Sequence, residues 1–259
     1  MKKSSLTSTK YLIGTSGWIY KDWAKRFYPP KMQNTEKLSF YAEHFPTVEI
    51  NNSFYRLPSE KAFENWRKLT PDGFKFAVKL SRFLTHIKRL KTDDQTNHGI
   101  DLFCSRARFL ESKFAVVLVQ LPASFPASEE KVVNLIMQFK KAENRYGQAF
   151  PIALECRHAS WITDKIFALL SSLNIAFVIN SAPDIWPTDC RVTADFAYLR
   201  WHGAKRLYAD SYSDKELSKW ASFIKNNTGD CKAVYGYFNN DKSAKAVENA
   251  QFLAKKLAS

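Results

Sequence analysis

Residues 152–161 read IALECRHASW, and the reading of this stretch decides the fold. Ile152, Ala153 and Leu154 make a short apolar strand that stops abruptly at Glu155, followed by Arg157 and His158. A carboxylate and a guanidinium at the end of a hydrophobic strand are costly to bury unless they pair or serve a ligand. Working outward, the same pattern recurs. Short runs rich in Val, Ile, Phe and Leu occupy residues 11–14, 48–51, 74–80, 114–121, 176–180, 197–202 and 234–238, and most end in a polar group. Helical patterns lie between them. They are expected from Asn34 or Thr35 to 44, over 59–69 with Ser59 as N-cap, over 100–112, and over 128–146 with Ser128 as N-cap and Gly147 as stop. Further helices are expected over 160–173, 213–226 with Ser213 as N-cap, and 243–257. Residues 181–195 carry Pro183 and Pro187 and show no helical period.

Strict alternation of strands and helices implies a parallel sheet with right-handed crossovers. Eight such units in 259 residues predict the α/β class and a single (β/α)8 TIM barrel. A doubly wound open sheet is the alternative. Gly14-Thr15-Ser16-Gly17 sits where its phosphate turn would be, but it lacks the third glycine, and Trp18 would crowd a pyrophosphate. Residues 1–10 read as an N-terminal tail and 11–259 as one barrel domain. The tail has the charge of a signal n-region without an apolar h-region after it, and no strand is long enough to span a membrane. The four cysteines form no Cys-x-x-Cys pair. That usage fits a reducing compartment, so a cytoplasmic protein with no membrane partner is expected.

The formal net charge is +14. Such a charge attracts nucleic acid or acidic small molecules, or simply keeps a basic surface soluble. Strand parity says where a ligand would meet it. Side chains of one parity point into a barrel, and functional groups sit at the C-terminal strand ends. Parity selects Glu49 and Asn51, Lys79, Gln120, Glu155 and Arg157, Arg200 and His202, and Tyr237 and Asn239, with Asn180 ending the sixth strand. Three cations (Lys79, Arg157, Arg200) against two carboxylates (Glu49, Glu155) leave one net positive charge, which suits an anion. The bland reading is a plug of ion pairs, such as Glu155 with Arg200 or Glu49 with Lys79. A whole ring of them is a poor plug, because hydrocarbon would be more stable.

Glu49, Glu155, His158 and His202 are the groups a metal could use. His158 has the opposite parity and the nearby cations oppose a cation, so neither a metal nor another cofactor is expected. Two carboxylates on distant strands, each with a cationic neighbour, argue against glycosidase chemistry. Thr15 and Ser16 have no His–Asp relay spaced to serve them. Cys156 has outward parity and belongs to the core. The aromatic–basic loops, Trp18 to Tyr28, Trp186 and 207–212, either stack bases or fold over the mouth and bury their own rings.

At these residues a family pattern emerges. IGTSGWIYKDW with FYPP, TVEINNSFYRLPS, FKFAVKLSRFLTH, LVQLPASF, LECRHASW, VTADFAYLRWHG, SYSDKEL and YFNND resemble the YecE-like family, in order and across the chain. The resemblance implies a TIM barrel of unestablished function. It matches Trp18, Glu49, Asn51, Tyr55, Arg56, Lys79, His86, Gln120, Glu155, Arg157, His158, Trp161, Arg200, His202, Asn239, Asn240 and Asp241 to the family's motif positions. Cys156 and Ala159 stand where the family looks more like Phe and Pro, and Asn180 where Asp is usual. It also brings the suggestion of damaged-DNA binding of the metal-dependent endonuclease kind.

The expectation is an enzyme acting on an anionic, phosphate-bearing substrate at the C-terminal mouth. Arg157, Arg200 and Lys79 would bind the anion. Glu155 and His202 would transfer protons, with Glu49 as a further catalytic carboxylate. Asn51, Gln120, Asn239, Tyr55, Arg56, Trp18, His86 and His158 would line the site. The alternative is a nucleic-acid-binding, repair-related protein using the same mouth and the basic loops 82–91 and 205–208. A third is a non-catalytic scaffold.

Overall fold

Lys10–Ser16 (β1) pairs in parallel with Thr47–Ile50 (β2) on one side and with Ala233–Phe238 (β8) on the other, and that second pairing closes the sheet. Between them run Lys75–Lys79 (β3), Phe114–Gln120 (β4), Ile152–Glu155 (β5), Ala176–Ser181 (β6) and Phe196–Trp201 (β7). The order is a closed barrel, β1 to β8 in sequence, so the chain is a (β/α)8 TIM barrel. The computed structural model describes residues 9–183 and 185–259. The expected tail lies outside the described residues except for Thr9 and Lys10, and Lys10 is already paired in β1 with Ala233.

Helices follow the strands: Lys37–His44 (α1), Glu60–Lys68 (α2), Asp94–Ala107 (α3), Glu129–Tyr146 (α4), Asp164–Ser172 (α5), Asp214–Asn227 (α6) and Lys245–Ala258 (α7). Ser59, Ser128 and Ser213 cap α2, α4 and α6 as expected, the last in a reciprocal box with Glu216. Gly147 ends α4 in the left-handed conformation.

Four expected boundaries move. Asn34 accepts from the Lys37 ammonium instead of capping, and α1 starts only after Glu36. Asp93 caps α3 earlier than its apolar period suggests. Thr163, not Ser160, caps α5, because the Ser160 hydroxyl is engaged by Ala127 and His158. The basic stretch after β3 is not an open loop: Phe83–Ile87 forms a π turn. Between β6 and β7 the described residues contain no helix.

Two apolar cores result. One lies between sheet and helices. The other fills the lower barrel with Ala77, Val116, Leu118, Ala153, Val178 and Tyr198. The polar ring sits above it. Gly14 shows how tightly the strands close. A methyl group there would lie 2.2 Å from the Thr47 carbonyl oxygen and 2.9 Å from the Tyr41 hydroxyl. Gly14→Ala is therefore expected to cost about 1–3 kcal/mol through backbone displacement, read as a lower urea midpoint. An unchanged midpoint would show that β1 and β2 have room to part. Among the described residues no helix is long and apolar enough to cross a membrane.

Candidate functional site

Each strand end delivers one or two polar side chains to the mouth, because the inward parity that buries Val116, Leu118 and Tyr198 continues to Gln120 and Arg200. Arg200 is the hub. Its guanidinium is 1% exposed and lies between two fully buried carboxylates. Nε and Nη2 donate to Glu49 at 3.0 and 2.7 Å, and Nη1 donates to Glu155 at 2.5 Å. Ser16 and Tyr198 hydroxyls also donate to Glu49, at 2.8 and 2.7 Å. Glu155 in turn accepts from Arg157, whose Nε and Nη2 lie 2.8 and 2.7 Å from Oε1. Glu49, Arg200, Glu155 and Arg157 thus form one row of alternating charge that sums to zero.

Arg157 is the outer end of that row. Its guanidinium stacks 3.6 Å over the Trp186 ring, and its Nη1 has no partner among the described residues. Burial pushes the Glu155 carboxyl up, but Arg200 and Arg157 more than offset this and hold it well below the usual carboxylate range. Glu155 is therefore held ionised as a clamp between the two guanidiniums. All three guanidinium nitrogens of Arg200 are engaged by Glu49 and Glu155.

His202 is also fully buried. Its Nε2 lies 3.2 Å from the Asn180 Oδ1 and its Nδ1 lies 3.3 Å from the Asn239 amide nitrogen. An acceptor at Nε2 and a donor at Nδ1 fix the neutral Nε2–H tautomer. Trp186 and Tyr208 meet the ring edge-on at 5.2 and 5.8 Å. Burial, with Arg200 close by, lowers the imidazole well below its ordinary range. Asn180→Asp would put a carboxylate on the Nε2 proton, so the His202 ring is expected to titrate at higher pH in an NMR titration. An unmoved titration would mean that Asn180 does not hold this nitrogen.

Lys79 stands apart from the alternating row. Among the described residues no carboxylate lies within 4.0 Å of its Nζ. It donates to Gln120 Oε1 at 2.8 Å and lies 4.3 Å over the Phe54 ring. Burial pushes its ammonium down to about 8, with Arg200 adding to the shift and Glu155 and Glu49 opposing it. Gln120 passes the row on to His86, 3.4 Å away at Nε2, and His86 Nδ1 meets Thr85 Oγ1 at 2.9 Å. Thr85 donates onward to the Ser81 carbonyl oxygen at 3.0 Å, which makes it the acceptor from His86. Burial, with Lys79 and Arg157, holds His86 at about 4, so it is neutral near pH 7.

The remaining expected residues scatter around this centre. Trp18 is buried edge-on against Trp66 and lines a cleft of about 170 Å³ with Tyr20, Asn51 and Asn52. Asn51 Oδ1 is buried there without a hydrogen-bond partner among the described residues. Tyr55 is 83% exposed and Arg56 is exposed beside it, both on the rim. His158 turns its Nδ1 to Ser160 and caps a short turn. The Trp18-to-Tyr28 loop buries its own rings: Trp23 and Tyr28 are at most 2% exposed.

Two groups escaped the sequence reading, and a third, Asp241, was matched by the family resemblance without being given a role. Tyr198 shares the parity of Arg200, so the same rule would have found it. Phe54 has no signal beyond its place in the exit loop of β2. Asp241 follows β8, and its carboxyl is pushed up to about 7 by burial, against the Tyr20 hydroxyl beside it.

The family model described as "Protein of unknown function DUF72" matches residues 12–259. The chain belongs to the DUF72 family. The UPF0759 protein YunF of Bacillus subtilis is 31% identical over 266 residues, covering 92% of each chain. The UPF0759 protein YecE of Escherichia coli K12 is 27% identical over 146 residues, 56% of this chain and 48% of YecE. The crystal structure of a DUF72 family protein from Thermotoga maritima superimposes with a TM-score of 0.84 at 27% identity, over 96% of this chain and 100% of that one. DUF72 membership agrees with the YecE-like pattern of the motifs. The polar ring of this DUF72 chain is carried on the strand ends those motifs contain.

Proposed function

We propose that the protein is an enzyme acting on an anionic, phosphate-bearing small molecule at the C-terminal mouth of the barrel. One observation carries this reading. The buried row from Glu49 to Arg157 is internally neutral, while Lys79 keeps a positive charge without a carboxylate beside it. A desolvated cation facing an opening is stabilised by an anion that enters. Arg157 supplies the second contact, its outer edge held in place by Glu155 and Trp186. Asn51 and Asn239 orient the ligand, and Asp241, with a carboxyl near neutrality, is the group suited to exchange a proton at pH 7.

The test is calorimetric titration of the protein with inorganic pyrophosphate. Arg157→Ala and Lys79→Met are each expected to weaken binding about 10- to 100-fold. Equal binding in all three proteins would overturn the reading. The pH dependence has a definite sign. Binding needs the Lys79 ammonium, so affinity is full well below pH 8 and falls as pH rises through the Lys79 pKa of about 8.

A second reading draws on the rim. Ile19, Tyr55, Phe83, Ile87, Ile185 and Tyr208 are exposed on the segments that leave the C-terminal strand ends, with exposed Arg56, Arg82 and Arg206 among them. Apolar and basic groups interleaved in this way suit a nucleic-acid strand. Fluorescence anisotropy with single- and double-stranded DNA at several salt concentrations separates the readings. Binding with a steep salt slope that disappears in Arg157→Ala supports nucleic acid in the mouth. Binding indifferent to that change reflects surface charge alone.

A further inference from the structure

We propose that Lys79 attaches substrate covalently, as a Schiff base with an aldehyde or ketone that also carries a phosphate. The inference rests on the anion-binding reading and narrows its substrate class. Its basis is the way Lys79 is held. The side chain rises from the inward face of β3 into the mouth and is partly exposed. Among the described residues one hydrogen bond, to Gln120 Oε1 at 2.8 Å, holds the nitrogen, and that bond needs only one of its protons. An uncharged amine therefore keeps its place and leaves its lone pair free.

The elements around it keep the amine available. Glu49 on β2 and Glu155 on β5 are both engaged by Arg200 from β7, so neither fixes an ammonium at Lys79. Arg200 and Arg157 add positive charge nearby, and His86 is neutral. A lysine desolvated beside other cations is an activated amine nucleophile. Phe54 covers the nitrogen from one side, so a carbonyl must arrive from the mouth, where Arg157 can receive its phosphate.

The chemistry closes on itself. The Nζ lone pair forms a bond to the carbonyl carbon, and the π pair of the carbonyl moves to its oxygen, which takes the proton that the nitrogen gives up. A second proton, from solvent in the mouth, lets the carbinolamine lose that oxygen as water, and the nitrogen lone pair forms the C=N bond. Amine, carbonyl and one proton give a cationic imine and water, with no change in oxidation state. The resulting cationic imine is an electron sink, so a bond next to the former carbonyl carbon becomes easier to break.

The experiment uses the unmutated protein at pH 7.5 with sodium cyanoborohydride and either glycolaldehyde phosphate or neutral glycolaldehyde, followed by peptide mapping. Glycolaldehyde phosphate is expected to modify Lys79 about tenfold or more faster than the surface lysines, and to outpace neutral glycolaldehyde at that position. The preference for the phosphate probe is expected to vanish in Arg157→Ala, whose fold is checked by its melting curve. Labelling of Lys79 no faster than the surface lysines overturns the Schiff base. If pyrophosphate still binds in that case, the anion reading survives alone. Fast labelling of Lys79 by both probes alike, unchanged in Arg157→Ala, overturns the phosphate-bearing substrate class.

Discussion

Replacing Arg200 by methionine is expected to lower folding stability at pH 7 by about 3–5 kcal/mol. Methionine fills the space, so the loss is electrostatic. Glu49 and Glu155, both fully buried, lose their shared guanidinium. Among the described residues Glu49 keeps the hydrogen bonds of the Ser16 and Tyr198 hydroxyls, and Glu155 keeps those of Arg157. A buried carboxylate without its partner favours the protonated form. Glu155 in the variant then has a folded-state pKa above its unfolded value near 4.5. Such a group stabilises the fold below the unfolded pKa and loses that contribution as pH rises through the folded pKa. The deficit against the unmutated protein should therefore shrink steadily from pH 7 towards pH 5. Urea titrations across that range measure it, and a deficit below about 1 kcal/mol would mean that the two carboxylates do not depend on Arg200.

Glu155→Gln should cost about 2–4 kcal/mol at pH 7 and show a different pH profile. The amide keeps one acceptor, but Arg157 and Arg200 then share the single carboxylate of Glu49, which only Arg200 touches. In the unmutated protein Glu155 is held below the usual carboxylate range. Its contribution is complete above the unfolded pKa and is lost as pH falls through the folded one. The gap between the two proteins should stay constant from pH 8 to about 5.5 and close only at lower pH. The same change removes a negative charge that opposes the lowering of the Lys79 pKa. The amine should titrate lower in Glu155→Gln, and pyrophosphate binding should fail at a lower pH than in the parent. A gap that closes already at pH 6 would show that Glu155 is not held ionised by its two arginines.

The barrel was legible because its signals are local. Val/Ile/Phe/Leu runs, serine caps and Gly147 each act over a few residues, and eight repeats leave one architecture. The polar ring was legible because parity is a property of a single strand. Depth was not legible. Arg200 and Arg157 look alike as strand-end arginines, yet the first is enclosed between carboxylates and the second presents an edge. The difference comes from the stagger of neighbouring strands, which pairs Asn180 with Arg200 and Gln120 with Glu155. Nor can local pattern bring Trp186 onto Arg157, since the connection between β6 and β7 carries no period. The π turn of Phe83–Ile87 escaped for a similar reason. Five residues of mixed polarity, rich in basic neighbours, read as loop. Their turn is fixed by the Thr85 hydroxyl on Ser81 and by the buried Leu84.

The row from Lys79 through Gln120 and His86 to Thr85 also governs proton traffic. Every donor in it points away from Lys79, and an amide stands between the amine and the imidazole. An amide does not hand a proton along, so the row is a brace and not a wire. A proton that leaves the amine passes to solvent in the mouth or to a bound molecule. Hydrogen–deuterium exchange at that nitrogen would then act as a clock for the opening of the mouth. A ligand that fills the mouth would stop the clock without touching any other part of the barrel.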